Sequence, residues 1–363
     1  MTPPARRRYV ALTEGFLTDP HHAKTAHGVL RYSADPVVAI VDGAYAQRNL
    51  RDVLPEMDKD VPIVATVQEA LGYEATSLLV GVAVSGGALP LQFRAHLEAA
   101  IDAGLEIVNG LHQFVSEDPD LVARARASGA RLWDVRKAGD IPLFSGDAYG
   151  VPQVVVLAVG SDCAVGKMSV MLELAAAARA CGDQAEFVAT GQTGIMIAGK
   201  GIAVDRVISD FISGAAEQLV LQVAKTTEFT LVEGQGSILN PAFSAVTYGL
   251  MFGSAPDLLV LCHEAGRDSI EDFDVPVPPL GQLARLYEAA LAPLKPAPCV
   301  AVALNTRALD ASGAKDYINR TQAQTGLPTD DVVRFGGERL WRALRSAAET
   351  TPKWASRHQA ARR

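Results

Sequence analysis

Short apolar runs rich in β-branched residues recur along this chain, each released into a turn and followed by a stretch with helical spacing. In the first part PVVAIVDG (36–43), PIVATV (62–67), SLLVGVA (77–83), EIVNG (106–110) and RLWDVR (131–136) read as buried strands. LQFRAHLEAAIDAG (91–104) and DPDLVARARASG (118–129) read as helices, the second capped by Asp118 with Pro119 in its first turn. Strand and helix alternating on so short a period predict a parallel α/β sheet. No G-x-G-x-x-G follows any of these strands, so the sequence does not support a standard dinucleotide site.

The pattern breaks over KAGDIPLFSGDAYGVP (137–152), which mixes Gly, Pro and Asp without a hydrophobic period and reads as a domain boundary. It then resumes. VVVLAV (154–159) is a strand, Gly166–Cys181 a helix stopped by Gly182-Asp183, and EFVAT (186–190) the next strand, running into a glycine-rich loop GQTGIMIAGKG (191–201). A long helix is expected over 204–225, then strands FTLV, DLLVLC and PCVAVALN, a short strand DVVRF, and helices QLARLYEAALAPL, AKDYINRTQAQTG and ERLWRALRSAA. The expected layout is an α/β domain at 1–150, a P-loop-like α/β domain at 151–350, and a basic, frayed tail at 351–363.

The turn GSDCAVGKMS (160–169) carries the clearest chemistry. A strand feeding a helix through glycines aims backbone N–H groups and the helix N-terminus at one spot, beside Lys167, and such a spot wants an anion. Gly160, Ser161, Asp162, Cys163, Ala164, Val165, Gly166, Lys167, Met168 and Ser169 are the expected contacts. Against the pattern G-x-x-x-x-G-K-[ST], Gly160 stands one residue early and Met168 replaces the Mg²⁺-binding hydroxyl. Ser169 follows, but a helix turns it about 100° away. A plain strand-to-helix turn that binds nothing is the competing reading.

Other strand ends add candidates. Glu233, closing FTLVEGQG, occupies the place of a second acidic residue that holds Mg²⁺, if Mg²⁺ is used. DLLVLCHEAGRDSI releases His263, Glu264 and Arg267 into one loop, a base, a carboxylate and a guanidinium together. Asn305, ending a late strand, is a candidate base-reading contact, and Gln192, Thr193 and Gly194 would close the wall opposite the phosphate turn. Asp210 is a further catalytic candidate or merely the i,i+4 partner of Arg206. VSGGALP (84–90) could hold a carboxylate or phosphate, or be a plain loop. Lys24 and His27 in KTAHGVLRY mark either a site or a solvated loop, and His112 in NGLHQF follows a strand in the same way.

Composition narrows the ligands. With 363 residues, 49% hydrophobic, the chain can bury two cores, and a net charge of −8 argues against nucleic acid or an acidic membrane surface. A small molecule is the expected partner. No apolar run reaches a membrane span, and the basic start lacks a signal-peptide core, so a cytoplasmic protein is expected. Cys163, Cys181, Cys262 and Cys299 show no C-x-x-C spacing; three lie in or beside apolar runs and read as reduced, with no metal.

GSDCAVGKMS, TGQTGIMIAGKGIAVDRVISDFISGAAE, LVEGQGS and CHEAGRDS together resemble a P-loop family formerly known only as a domain of unknown function, one branch of which is D-glutamate N-acetyltransferase. KTAHGVLRY, the VDG turn and GLHQF are similar to the Rossmann-like amino-terminal domain of that family. More distantly, GSDCAVGK and LVEGQG resemble the phosphate turn and strand end of dethiobiotin synthetase and its amidotransferase relatives. Those carry a threonine after the lysine.

The resemblance implies an N-acetyltransferase that moves an acetyl group from acetyl-CoA to the amine of an acidic amino acid, D-glutamate above others. A cradle with a lysine but no well-placed Mg²⁺ hydroxyl suits a diphosphate held without being cleaved. His263 is then the expected base, with Glu264 orienting or replacing it, and Arg267 or Arg206 would grip the substrate carboxylate. Cys163 could carry the acetyl group. A homo-oligomer is expected. The alternatives are a Mg/ATP-dependent kinase or ligase acting on a carboxylate, with Glu233 and Ser169 holding Mg²⁺, and a nucleotide- or CoA-binding regulatory module.

Overall fold

The computed structural model describes residues 6–224 and 226–360, the side chains of Ser85 and of 357–360 apart. The chain forms two compact units. The first comprises Met1–Gly139 with Gln192–Arg206, the second Asp140–Gly191 with Val207–Arg363. The segment 192–206 therefore leaves the second sheet and returns to the first unit.

The first unit is built on six parallel strands: β1 (Tyr9–Leu12), β2 (Val37–Val41), β3 (Ile63–Val64), β4 (Ser77–Val80), β5 (Glu106–Asn109) and β6 (Leu132–Asp134), in the order β3-β2-β1-β4-β5-β6. That order is the doubly wound Rossmann arrangement, with its switch point between β1 and β4. β1 is the central strand, yet YVAL is only four residues long and sits between a basic run and a polar turn, so its hydrophobic signal is weak. All four residues are buried. Leu12, Val41, Val80 and Ile107 form the core with Leu97 and Leu121 from the helices Arg94–Asp102 and Pro119–Ser128. Asp118 caps the latter as expected, accepting from the N–H groups of Asp120 and Leu121.

The second unit also carries six parallel strands: β7 (Val154–Gly160), β8 (Ala185–Val188), β9 (Phe229–Val232), β10 (Leu258–Glu264), β11 (Cys299–Asn305) and β12 (Thr329–Asp330), ordered β12-β11-β10-β7-β9-β8. β7 is buried along its whole length, between β9 and β10. Each strand of both sheets thus runs in one direction, and the carboxyl ends share one edge within each unit.

Several local expectations are corrected. KTAHGVLRY is a helix (Lys24–Tyr32), not a loop, and GQTGIMIAGKG contains the helix Gln192–Ala198. The stretch 204–225 is two short 3₁₀ turns, Val204–Arg206 and Ser209–Phe211, before the helix Ile212–Val223, so Arg206 and Asp210 are not an i,i+4 pair. Gly214, in the first turn of that helix, is required there: a Cβ would lie 1.9 Å from the carbonyl oxygen of Pro142, so the helix approaches backbone too closely for a side chain. DVVRF is helical at Val332–Phe335, because Asp331 accepts from the N–H groups of Val333 and Arg334 and caps it. SAVTYGLMFGS, rich in small residues, forms the helix Ser244–Ser254. The tail is not frayed at its start: Pro352–Ala360 is a helix, and Lys353 ion-pairs with Asp257 at 2.9 Å. Residues 361–363 and 1–5 lie outside the described residues. No helix among the described residues is long and apolar enough to cross a membrane.

Candidate active site at the phosphate turn

The turn after β7 is shaped by two left-handed residues, Ala164 (φ 55°) and Gly166 (φ 102°). Gly166 precedes the helix Lys167–Ala180 and offers no side chain to its first-turn amides, which stay available to an anion. The Lys167 amine is buried and donates to the Asp162 carbonyl oxygen at 2.6 Å. Burial holds its pKa below the ordinary lysine range, against the opposing pull of the nearby thiols and carboxylates. The turn also needs Gly160: a Cβ there would meet Lys167 Nζ and Val165 at 3.0 Å.

Asp162 is the hub of the turn. Fully buried, its Oδ1 accepts from the Cys163 N–H at 2.7 Å and Asn240 Nδ2 at 2.9 Å, and its Oδ2 from the Glu271 N–H at 2.8 Å and Arg267 Nη1 at 3.1 Å. Burial pushes its carboxyl upward, but these four donors outweigh it and hold the pKa below the ordinary carboxylate range.

The loop after β10 closes over this hub. Arg267 donates through Nε to Glu264 Oε2 at 2.9 Å, and through Nη1 to Asp162, to the Cys163 carbonyl at 3.3 Å and to Glu271 at 3.4 Å. Its guanidinium is shared among three carboxylates. Glu264 Oε1 has no partner among the described residues, and the side chain is about one-fifth exposed.

His263 departs from the free imidazole expected of a base. Its side chain is buried, Nδ1 lies 2.9 Å from Ser161 Oγ, and Nε2 lies 3.3 Å from the Tyr317 hydroxyl. Burial, reinforced by the Arg267 charge, lowers its pKa to about 4. At neutral pH it is an uncharged strut between the phosphate turn and the helix Ala311–Thr325.

Glu233 is likewise buried and engaged: Oε2 accepts from the N–H groups of Thr190 at 2.8 Å and Gly191 at 3.0 Å, fixing the strand end after β8. Ser169 and Met168 lie half-buried in the first helical turn. Asn305 ends β11, its side chain accepting from the Arg307 N–H at 3.2 Å. Asp210 lies exposed in a separate turn. Gln192, Thr193 and Gly194 begin the helix Gln192–Ala198 of the first unit, where Thr193 Oγ1 meets Thr25 Oγ1 at 3.2 Å. Within the second unit the structure brings the phosphate turn, His263, Glu264 and Arg267 together; Gln192, Thr193 and Gly194 belong to the first unit.

Four partners escaped the sequence reading: Asn240, Ser237, Tyr287 and Tyr317. Ser237 Oγ donates to the Ser161 carbonyl at 3.1 Å and the Tyr287 hydroxyl donates to the Gly160 carbonyl at 2.7 Å. Asn240 lies in a turn with the ordinary look of SILNPAF, and the tyrosines sit on helices at spacing that any core aromatic would have. None of the four cysteines is in a disulfide; Cys262 and Cys299 are buried, Cys181 is exposed, and Cys163 is partly exposed with Asn240 Nδ2 3.8 Å from its sulfur. No group of His, Cys, Asp and Glu able to hold a metal ion occurs among the described residues.

A phosphate turn on this strand order, joined to a Rossmann-like unit, defines a two-domain P-loop protein. Residues 142–341 match the P-loop domain DUF1611_C and residues 44–138 the Rossmann-like domain DUF1611_N, each described as a domain of unknown function. The chain belongs to this family. It is 36% identical to a D-glutamate N-acetyltransferase of Tritonibacter scottomollicae over 331 residues, which cover 89% of this chain and 94% of that one. It is 35% identical to a D-glutamate N-acetyltransferase of a Pseudoalteromonas species, over 75% of this chain and 82% of that one. The crystal structure of a DUF1611 family protein from Anabaena variabilis superimposes with a TM-score of 0.89 at 42% identity, covering 94% of this chain and 99% of that one.

Proposed function

We propose that this protein is an N-acetyltransferase acting on an acidic amino acid, D-glutamate foremost, with acetyl-CoA as donor. The likeness in sequence to two D-glutamate N-acetyltransferases over three quarters or more of each chain carries the reading. The donor set at the phosphate turn supports it. The uncapped helix N-terminus, the left-handed turn and the buried Lys167 fit a diphosphate such as that of coenzyme A. Met168 replaces the hydroxyl that would coordinate Mg²⁺, and Glu233 Oε2 already accepts two backbone N–H groups, an arrangement suited to holding phosphates without hydrolysing them.

Transfer from a thioester to an amine requires the ammonium to lose a proton and the developing oxyanion to be stabilised. Glu264 is the base in this reading. It presents an unpartnered carboxylate oxygen at the loop surface, whereas both nitrogens of the buried His263 are engaged with Ser161 and Tyr317. His263 and Arg267 are positioning residues, one holding Ser161 and the other orienting Glu264.

The decisive assay mixes purified protein, acetyl-CoA and D- or L-glutamate while free thiol is followed. Amine-dependent thiol release, faster with the D-isomer, is expected; its absence with every acidic amino acid tested overturns the reading. Lys167→Ala should weaken acetyl-CoA binding by tenfold or more, and Glu264→Gln should cut turnover while leaving that binding intact. A thermal shift with ATP-Mg²⁺ larger than that with acetyl-CoA would favour the kinase or ligase class instead.

A further inference from the structure

The first unit holds a cationic cluster that the phosphate-turn chemistry does not use. At the Rossmann crevice the acidic side chain is already engaged. Asp42, at the carboxyl end of β2 where such folds read a ribose, is fully buried and accepts from Thr13 Oγ1 at 2.9 Å and from the N–H groups of Leu17 and Ala44. The backbone bonds Ala83 N–H to His22 O and Ala26 N–H to Gly81 O, 2.8 and 2.9 Å, stitch the β1 loop and its helix to the end of β4.

On the other side of the switch point, the loops after β4, β5 and β6 and the returning segment meet. Arg136, its side chain nine-tenths buried, donates through Nε to the Gly110 carbonyl at 2.7 Å and through Nη1 to Asp205; its Nη2 has no partner among the described residues. His112, part-exposed, lies 3.7 Å from the same Asp205 carboxylate and packs on Gly87, where a Cβ would come within 2.5 Å of the ring. The Arg206 guanidinium rests over the Phe114 ring at 5.2 Å and makes no hydrogen bond or ion pair among the described residues. Arg136 and Arg206 thus bring two guanidiniums to the surroundings of His112, against the carboxylate of Asp205. The imbalance is felt by His112: burial lowers its pKa, the charges of Arg136 and Arg206 lower it further, and Asp205 only partly opposes them.

We infer that His112, Arg136 and Arg206 form a carboxylate-binding site in the first unit, for the side-chain carboxylate of a small acidic amino acid. An exposed, unpaired guanidinium beside a second one fixed by burial offers the planar fork geometry that recognises carboxylates. Asp205, beside Arg136 and 3.7 Å from His112, would accept a ligand ammonium. The inference rests on the acetyltransferase reading for the identity of the ligand, but not for the existence of the site.

Glutarate, which has the carboxylates but no amine, probes the site directly by calorimetry on the full-length protein, with D-glutamine and inorganic phosphate as comparisons. Glutarate and D-glutamate should bind, D-glutamine and phosphate at least tenfold more weakly, and Arg206→Gln and His112→Asn should each weaken glutarate at least tenfold without altering acetyl-CoA binding. If KM for the acidic amino acid rises in step while kcat holds, the ligand is the substrate; if KM is unmoved, the same site serves the product or an effector. Unchanged glutarate affinity in both variants overturns the inference, as does phosphate binding more tightly than glutarate. Neither result bears on thiol release, so failure here and failure of the acetyltransferase reading are separable.

Discussion

Arg267 Nη1 lies 3.1 Å from Asp162 Oδ2, so the loop after β10 is bolted to the phosphate turn after β7 by a charged pair whose acidic member is fully buried. Removing the guanidinium would leave the Asp162 carboxylate with three N–H donors and no cation hydrogen-bonded to it. Arg267→Ala is expected to cost about 3 kcal/mol of stability, within the range for breaking a buried pair. Arg267→Lys should restore only part, because an ammonium cannot reach Asp162, Glu264 and Glu271 together. Urea unfolding of the three proteins measures this; identical midpoints would show that the bolt contributes nothing.

His263 makes the fold sensitive to acid. Its pKa in the folded state, about 4, lies below the ordinary value near 6.5. The unfolded chain therefore binds the proton first as pH falls, and the stability from the neutral buried ring, full above about pH 6.5, is lost progressively toward pH 4. Between pH 7 and 5 this amounts to about 2 kcal/mol. Urea midpoints at both pH values should fall for the native protein and fall less for His263→Gln. Equal pH slopes would mean that other groups dominate.

Gly234 lies where β9 gives way to the site. A Cβ there would sit 1.8 Å from the Ala158 carbonyl oxygen and 2.9 Å from Lys167 Cδ. The first is backbone within a central strand and cannot yield cheaply, so Gly234→Ala should destabilise by about 3 kcal/mol or more and displace Lys167. Gly72→Ala is the control, since nothing lies within 4 Å of its Cβ position and its backbone is not left-handed. Thermal midpoints of the two variants should differ widely; near-equality would refute the steric account.

The architecture was legible because buried parallel strands write continuous apolar runs, as in VVVLAV and DLLVLC, and the phosphate turn was legible because glycine and lysine spacing is tied to backbone geometry. β1 was not, since four apolar residues between arginines and a polar turn carry too little periodicity, although the sheet places them at its centre. Within the site, the sequence named His263 and Arg267 but not their condition. Burial and partners, Ser161 and Tyr317 for one and three carboxylates for the other, come from residues 54 to 105 positions away, apart from near neighbours Glu264 and Glu271. GQTGIMIAGKG misled because its glycines suggest a loop; Gly110, whose Cβ would collide with Met196 and Gln192, shows that the helix needs small residues opposite it.

The carboxyl-terminal helix supplies the last prediction. Composition alone makes 351–363 a solvated tail, yet Lys353 donates to Asp257 at 2.9 Å and the Trp354 ring lies 5.6 Å from that of Phe229, which is fully buried and begins β9. Asp257 also takes Lys295 at 2.7 Å and the Val155 N–H at 2.8 Å, so it keeps partners when Lys353 is lost. Lys353→Met should therefore cost only about 1 kcal/mol. Deleting residues 352–363 also takes the Trp354 ring from Phe229, leaving Trp341 at 4.8 Å, and should cost about 3 kcal/mol, on the scale of losing a large buried aromatic side chain. Chemical unfolding of the truncated chain decides the matter: a midpoint equal to that of the full chain would return these residues to the status of a frayed tail.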